Sequence, residues 1–184
     1  MPEPDRPVPE LRLARLAEAD AIDELMKASA RDLFPGWYSA EQTDAAVQYV
    51  ASVDRMLIAD GTYFVAEADG ELVACGGWSR RDKLYAGSGD AAGDARLLDP
   101  DTEPARVRAM FVRADWTRRG LGRRILEACE AAARAEGFRK LALGATLSGV
   151  PLYEAYGFRA TEGEVVRMPN GIEMDAVLME MPLD

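Results

Sequence analysis

The chain has 184 residues, of which 48% are hydrophobic and 29% are charged. This length and balance indicate one compact globular domain and exclude a disordered or fibrous chain. The net charge of −10 argues against a nucleic-acid partner, because phosphate binding draws on lysine and arginine, and it favours basic ligands or amines. The chain has no histidine, which excludes Ser-His and Cys-His catalysis, most zinc sites and the commonest general base.

The start of the chain gives no sign of export or membrane insertion. No apolar run approaches the roughly 20 residues of a membrane span, and MPEPDRPVPE lacks the basic and apolar regions of a signal peptide. We therefore predict a cytoplasmic protein with no membrane partner. Residues 1–9 contain four prolines, which predicts a mobile lead-in before a single domain over residues 10–184. Cys75 and Cys129 stand among apolar neighbours, which predicts two small buried residues rather than a disulfide or a nucleophile.

The first half of the chain predicts an edge strand, two helices and a hairpin. The segment LRLARL alternates as an edge strand does. A capping box of Ser39 and Gln42 starts the second helix, after a loop, FPGWY, that we expect to expose its aromatic side chains. Two β-rich runs are joined as a hairpin across Asp69-Gly70. The helical period over 20–30 places four residues on one face: Ile22, Leu25, Met26 and Ser29.

In the second half, residues 82–104 are rich in Gly, Asp and Ala and show no pattern, which predicts a surface loop that is functional or mobile. A strand, a crossover helix and a strand then form a right-handed βαβ unit with parallel strands. These elements span 106–112, 120–136 and 140–145, and a short helix over 152–156, a strand from Phe158 and a last strand, AVLMEMPL, follow them.

The turn that opens the crossover helix, WTRRGLGRRIL, contains two glycines and four arginines. A helix start offers unpaired N–H groups and the positive end of the helix dipole, and glycines let an anion approach the backbone. The alternative to an anion site is a tight strand-to-helix turn. Gly137 closes the helix as a C-cap. The predicted buried face of the helix is Leu121, Ile125, Ala128, Cys129 and Ala132.

Two nucleotide-binding motifs do not fit this turn. A Walker loop needs Gly-Lys-Ser/Thr, whereas Arg123 and Arg124 follow the second glycine here. A dinucleotide fingerprint needs a third glycine or alanine, and Ile125 occupies that place.

The stretch 117–122 resembles the acyl-CoA pyrophosphate loop of the GNAT superfamily of N-acetyltransferases, written Arg/Gln-x-x-Gly-x-Gly/Ala after the fourth strand. The strand VRAMFV precedes it, as that family expects. The segment LYEAYGF is similar to the family's second motif, Leu-Tyr-x-x-x-Gly-Phe, on a short helix after strand five. The resemblance covers nearly the whole chain. It implies a GNAT-like α/β (α+β) fold with a mixed, mostly antiparallel sheet, splayed between strands 4 and 5 and flanked by about four helices.

The resemblance also implies that acetyl-CoA is the co-substrate, without a metal. In the family the pantetheine arm lies along the fourth strand, here the backbone of Met110, Phe111 and Val112, where an N–H near Phe111 or Val112 would polarise the thioester carbonyl. Tyr153 would protonate the departing CoA thiolate after direct attack by the amine. The pyrophosphate would be bound by Thr117, Arg118, Arg119, Gly120, Leu121, Gly122 and Arg123.

Three departures from the family pattern bear on the general base. Thr117 replaces the usual Arg or Gln, Thr146 stands where many members have an asparagine, and the fifth strand, KLALGA, carries no glutamate. The fold and cofactor expectations survive these changes, whereas the base stays unassigned.

The attacking amine must be neutral. At pH 7 this costs a lysine side chain roughly 4–5 kcal/mol and an α-amine about 1 kcal/mol. Candidate bases are Glu103, Glu67 and Glu41, and the alternative for each is a solvated surface acid. Trp37 and Tyr38 are candidates for the acceptor site, and the alternative for each is a core anchor.

The resemblance thus implies an acetyl-CoA-dependent N-acetyltransferase that acts on a primary amine of an unidentified small molecule or peptide. One alternative is a non-catalytic acyl-CoA-binding sensor or partner-binding module, which would have no need of Tyr153 as a proton donor. Acyl-CoA hydrolysis is a further alternative, without an evident nucleophile. The oligomeric state stays open, with a homodimer among the options.

Overall fold

The structure is a computed structural model that describes residues 6–84 and 96–184. Residues 1–5 of the predicted lead-in and the middle of the predicted 82–104 loop lie outside the described residues. Within the described parts, the strands are β1 (Glu10–Leu13), β2 (Tyr63–Ala68), β3 (Glu71–Ser79), β4 (Ala105–Val112), β5 (Lys140–Thr146), β6 (Arg159–Arg167) and β7 (Glu173–Pro182). The α-helices are α1 (Ala19–Leu33), α2 (Ala40–Tyr49), α3 (Arg55–Ala59), α4 (Leu121–Ala135) and α5 (Val150–Tyr156).

The strands form one sheet in the order β1-β2-β3-β4-β5-β7-β6. Neighbouring strands are antiparallel except β4 and β5, which are parallel as the predicted βαβ unit requires. The predicted mixed, mostly antiparallel fold is therefore confirmed. The β4–β5 pairing holds only at Ala105 with Leu141 and at Arg106 with Ala142, so the two strands separate beyond these pairs. This separation creates the opening that contains the candidate site.

Local turn and capping chemistry matches the sequence. At the β2–β3 hairpin, Asp69 and Gly70 both have positive φ, 52° and 78°, as a two-residue turn of this hand demands. Ser39 and Gln42 form the predicted capping box at α2. Gly137, at φ 90°, follows α4 and donates to the carbonyl of Arg134, which closes the helix as predicted.

The helices cover both faces of the sheet and enclose two cores. One core contains side chains of α1 and α2, and the other contains side chains of α4 and α5. Cys75 and Cys129 are fully buried free thiols, as predicted. Burial raises the pKa of both thiols, that of Cys75 to about 12, so neither is a ready nucleophile. None of the described helices combines the length and apolar character needed to cross a membrane.

Two predictions of local structure are corrected, and one helix was missed. The face that α4 buries includes Leu126 and Ala133, whereas Ala128 and Ala132 are only half-buried, because the buried stripe is rotated toward the larger leucine side chain. Helix α3 was not predicted, since five residues are too few to show a helical period. In the FPGWY segment, Phe34 is buried against α1 in a 3₁₀ turn, contrary to the expectation of exposed aromatics.

Candidate active site

A cleft of about 590 Å³ opens where β4 and β5 separate. Its lining comes from β4, the turn before α4, the start of α5 and, from the other face of the sheet, α1 and the turn that follows it. The described lining does not include five residues that the sequence predicted for the site: Tyr38, Glu41, Glu67, Glu103 and Arg119. The cleft brings together these predicted site residues: Trp37, Met110, Phe111, Val112, Thr117, Arg118, Gly120, Leu121, Gly122, Arg123 and Tyr153.

A bulge in β4 shapes one wall of the cleft. Ala109 has a φ of 51°, unusual for a residue with a Cβ, and the register between β3 and β4 shifts by one residue at this point. The hydroxyl of Tyr63 donates to the carbonyl of Ala109 at 2.6 Å and stabilises the bulge. A bulge bends its strand, and this one lies three residues beyond Arg106, where the pairing of β4 with β5 ends.

The backbone of β4 beyond the bulge directs alternate amides into the opening. The N–H of Arg113 donates to the carbonyl of Val73 on β3 at 2.9 Å. Because successive N–H groups of a strand point in opposite directions, those of Met110 and Val112 face away from β3, toward the missing β5 partner. Ser29 of α1 already donates to the carbonyl of Val112 at 2.7 Å. Since the Phe111 amide faces β3 and the Val112 amide faces the opening, the Val112 amide suits the polarising role better than that of Phe111.

The turn before α4 presents further unpaired amides. Gly120 is the N-cap at φ 78°, and Arg118 also has a positive φ, of 61°. The helix begins its hydrogen bonding with the N–H of Arg124, which donates to the carbonyl of Gly120 at 3.0 Å. The amides of the first turn before Arg124 therefore have no helical acceptor and lie at the positive end of the dipole.

The two glycines of the turn have different roles. A Cβ added at Gly120 would meet nothing within 4 Å, so the approach to the turn is open there. A Cβ at Gly122 would lie 2.7 Å from Cδ2 of Leu152. Gly122 therefore lets α4 pack closely on α5, and its contact with an anion stays a prediction.

The four arginines of the turn also have different roles. Arg118 and Arg123 line the cleft, and Arg123 also lies over the ring of Tyr156. Arg119 stacks on Trp116, with 5.4 Å between its guanidinium carbon and the ring centroid. Arg124 donates to the carbonyl of Pro9 at 3.0 Å. Two of the four arginines thus face the cleft, and two bind protein groups beside it.

Tyr153 lies at the end of the cleft with its side chain almost enclosed. Its ring packs edge-on against Phe158 at a centroid distance of 5.8 Å, and the residue is 9% exposed. Burial raises the pKa of the phenol, which therefore keeps its proton at neutral pH. Within residues 6–84 and 96–184, no group hydrogen-bonds its hydroxyl. Tyr156, by contrast, donates its hydroxyl proton to Glu130, in keeping with its assignment to packing.

Of the two aromatic residues predicted for the acceptor site, only Trp37 lines the cleft, with 51% of its surface exposed. Tyr38 is buried, and its hydroxyl donates to the carbonyl of Asp175 and accepts from the N–H of Leu147. Tyr38 is therefore corrected to a core anchor that ties α2 to the ends of β5 and β7.

The structure brings none of the three candidate bases to the cleft. Glu103 accepts hydrogen bonds from Arg96 and from the amide of Asp99, and these lower its pKa to about 2. Glu67 is paired with Arg12. Glu41 is exposed in the first turn of α2. Together these placements remove the structural support for Glu103 as the base.

Sequence reasoning missed Arg108, which is 3% exposed and lines the cleft from β4. Its Nη2 donates to Oδ2 of Asp54, the N-cap of α3, at 3.1 Å. The available signal was a charged residue between Val107 and Ala109 in a strand otherwise rich in apolar residues, where an arginine needs a partner.

Comparisons with known proteins agree with this geometry. The family model of the acetyltransferase (GNAT) family matches residues 22–158. A GCN5-related N-acetyltransferase from Rhodopseudomonas palustris superposes with a TM-score of 0.73 at 22% identity, covering 98% of this chain and 99% of that chain. No curated protein sequence matches the chain.

Two further similar structures were solved with coenzyme A or acetyl-CoA bound. The PaiA N-acetyltransferase from Thermoplasma acidophilum, in complex with coenzyme A, has a TM-score of 0.66 at 15% identity, over 95% of this chain and 98% of that chain. The acetyltransferase YncA from Salmonella typhimurium, with its cofactor acetyl-CoA, has a TM-score of 0.62 at 20% identity, over 97% and 95% of the two chains. With the family model spanning most of its length, the chain belongs to the acetyltransferase (GNAT) family.

Proposed function

We propose that this acetyltransferase transfers an acetyl group from acetyl-CoA to a primary amine of a small molecule or peptide. The main support is that one cleft is lined by the open edge of β4, the N-terminus of α4 and Tyr153. The similar structures solved with coenzyme A and acetyl-CoA support the choice of acyl donor.

The residues of the cleft fit acetyl-CoA. The amides of Met110 and Val112 can pair with the amide groups of the pantetheine arm as a neighbouring strand would. The first-turn amides of α4 and the guanidinium of Arg118 can bind the pyrophosphate, and no Cβ blocks their approach at Gly120. The first-turn amides include those of Leu121, Gly122 and Arg123, and we propose that the Arg123 guanidinium assists them. Phe111, Thr117 and Arg119 receive a supporting role, because the Phe111 amide faces β3, both donors of Thr117 bond to the carbonyl of Ala114, and Arg119 stacks on Trp116.

Acetyl-CoA supplies an activated thioester when bound. Of the two β4 amides that face the opening, those of Met110 and Val112, one can pair with the pantetheine arm while the other donates to the oxygen that gains negative charge during transfer, and such a donor contributes about 2.7–4 kcal/mol in comparable sites. Tyr153, which lines the same cleft, holds its proton on Oη and can donate it to a leaving thiolate.

The lack of a carboxylate in the described lining bears on how the amine loses its proton. Since no carboxylate there can act as a base, we propose that the amine enters neutral, having given its proton to solvent. This route favours α-amines, for which the cost at pH 7 is about 1 kcal/mol, over lysine side chains, for which it is roughly 4–5 kcal/mol.

The test is a screen of primary amines with acetyl-CoA, in which the release of free thiol is followed and an acceptor-free control is included. Transferase activity requires thiol release that depends on an amine. Binding of acetyl-CoA without thiol release would instead identify a sensor module, and release without an amine would identify a hydrolase. Cytoplasmic location, the absence of a nucleic-acid partner and the single domain over 10–184 stay predictions.

A further inference from the structure

The cleft has a charge opposite to that of the protein. The chain carries a net charge of −10, yet the described lining contains the side chains of Arg108, Arg118 and Arg123 and none of an aspartate or glutamate. Arg118 and Arg123 lie at the turn before α4, where the phosphates of acetyl-CoA are proposed to bind. Arg108 belongs to β4 near its pairing with β5, on the far side of the Ala109 bulge. A second cationic centre therefore faces the part of the cleft that remains for the acceptor.

The partners of Arg108 do not balance its charge. Asp54 accepts from Nη2 of Arg108 at 3.1 Å, and Nζ of Lys83 lies 3.6 Å from the same carboxylate oxygen. The other oxygen of Asp54 accepts from the amide of Met56 at the start of α3. One carboxylate is thus shared by two cations, which leaves the three side chains with one net positive charge.

The guanidinium of Arg108 also has unused donors. It carries five N–H groups, and among the described residues Asp54 takes only one bond, on Nη2. A simple structural salt bridge between β4 and α3 would need neither the excess charge nor an arginine that lines the cleft. Buried charge is costly unless it is paired, so a negative group bound from the cleft would be strongly favoured.

We propose that Arg108 binds a carboxylate of the acceptor, so that the acceptor is a primary amine that also carries a carboxylate and an apolar portion. This inference rests on the proposed function and narrows its substrate class. A carboxylate suits the planar guanidinium, which can donate two parallel hydrogen bonds to it. The apolar portion would contact the remaining walls, which are Leu33, Phe34, Val50, Val166 and Met174.

Strand geometry limits the distance between the two functional groups. At about 3.3 Å per residue, Met110 lies roughly 7 Å and Val112 roughly 13 Å along β4 from Arg108. The arginine side chain spans part of this distance. A free amino acid and a short peptide with a free C-terminus both present an amine and a carboxylate on this scale, and the experiment separates the two sources.

The probes are pairs that differ only in the carboxylate: L-phenylalanine with L-phenylalaninamide, and glycyl-L-phenylalanine with glycyl-L-phenylalaninamide, with the leucine and methionine pairs beside them. Calorimetry measures their binding to the protein saturated with coenzyme A, because amidation also changes the amine pKa and hence the rate. We expect the acid of at least one pair to bind about tenfold or more tightly than its amide. If the acid is preferred over the amide only among the amino acids, the acceptor is a free amino acid. If it is preferred only among the dipeptides, the acceptor is a peptide with a free C-terminus.

The double variant Arg108→Met/Asp54→Asn tests the role of Arg108 in carboxylate binding. Replacing Asp54 as well avoids leaving a buried carboxylate without its partner, and asparagine still caps α3. We expect it to lose the preference for the acid while keeping its affinity for acetyl-CoA. Arg106→Met, on the same strand but outside the described lining, should keep the preference. Arg108→Lys should retain part of it, since the charge stays and the two-pronged geometry is lost.

The inference is overturned if amides bind as tightly as acids, if no acid in the panel binds, or if the double variant keeps the preference. Thiol release with acetyl-CoA is followed for every probe and for 2-phenylethylamine, which has no carboxylate. Acetylation of amines regardless of the carboxylate would leave the proposed function standing and remove only the role of Arg108. Binding of acids without any acetylation would support the role of Arg108 as a carboxylate-binding residue and would contradict the proposed transferase function.

Discussion

Gly149 and Tyr153 are in contact at the start of α5, where a Cβ added to the glycine would lie 2.9 Å from Cε2 of the tyrosine ring. Gly149 has φ −88° and ψ −22°, a conformation open to any residue. The glycine is therefore required by the position of the ring and not by the backbone. This contact, together with Phe158 on the other side, defines where the hydroxyl of Tyr153 points.

Gly149→Ala should move the ring of Tyr153 by roughly half an ångström and lower kcat about tenfold, since a 1 Å misplacement can cost about 10²-fold. Acetyl-CoA affinity should change little. Steady-state kinetics and calorimetry measure the two quantities. Gly163→Ala, where a Cβ meets nothing within 4 Å, is the matched control and should behave as wild type. An unchanged kcat in Gly149→Ala would show that the ring position does not matter for transfer.

Tyr153→Phe should keep the fold and acetyl-CoA affinity but lower acetyl transfer at neutral pH by at least about tenfold, or roughly 1.4 kcal/mol. The substitution should not disturb other contacts, because no described residue hydrogen-bonds the hydroxyl that it removes. Tyr156→Phe loses a bond to Glu130 yet should change the rate much less. Both are measured at saturating cofactor with chemistry rate-limiting. Equal turnover of wild type and Tyr153→Phe would assign thiolate protonation to solvent.

Gly120→Asp should weaken acetyl-CoA binding at least about tenfold more than Gly120→Asn. Both side chains are among those that best tolerate the positive φ of 78° and have the same shape, so the comparison isolates a negative charge beside the turn. Isothermal calorimetry on the two variants provides the measurement, and thermal melting checks that both remain folded. Similar affinities for Asp and Asn would place the pyrophosphate elsewhere. Gly122→Asp is unsuitable for this test, because its side chain would meet Leu152.

Glu103→Gln should leave kcat and KM within about twofold of wild type, because Glu103 is paired with Arg96 outside the described cleft lining. Its effect should instead be on acid stability. Folding lowers the pKa of Glu103 from 4.5 to about 2, so its contribution is present above pH 4.5 and is lost as the pH falls through 2. Thermal melts between pH 5 and pH 2 should therefore show a shallower decline in the variant. A large loss of activity at neutral pH would restore Glu103 as a candidate base.

Much of the fold and the donor half of the site follows from short stretches of sequence. The capping box at Ser39, the hairpin turn at Asp69-Gly70 and the helix stop at Gly137 each rest on backbone preferences of a few adjacent residues. The glycine-rich turn before α4 and the LYEAYGF helix are local in the same sense. Where these turns and helices form does not depend on which distant segment packs nearby, so the sequence by itself determines their positions.

The proposed acceptor half of the site depends on the tertiary structure. Arg108 and Asp54 are far apart in the chain and meet only because the fold brings the N-cap of α3 next to β4. Gly122 and Leu152 meet because two helices cross there, and Tyr38 is buried because its hydroxyl reaches two strand ends. Such contacts depend on the packing of segments distant in sequence, which local periodicity does not encode. Arg108 stands out in the sequence as a charge within an apolar strand, but its partner and its place in the cleft were visible only once the sheet had been assembled.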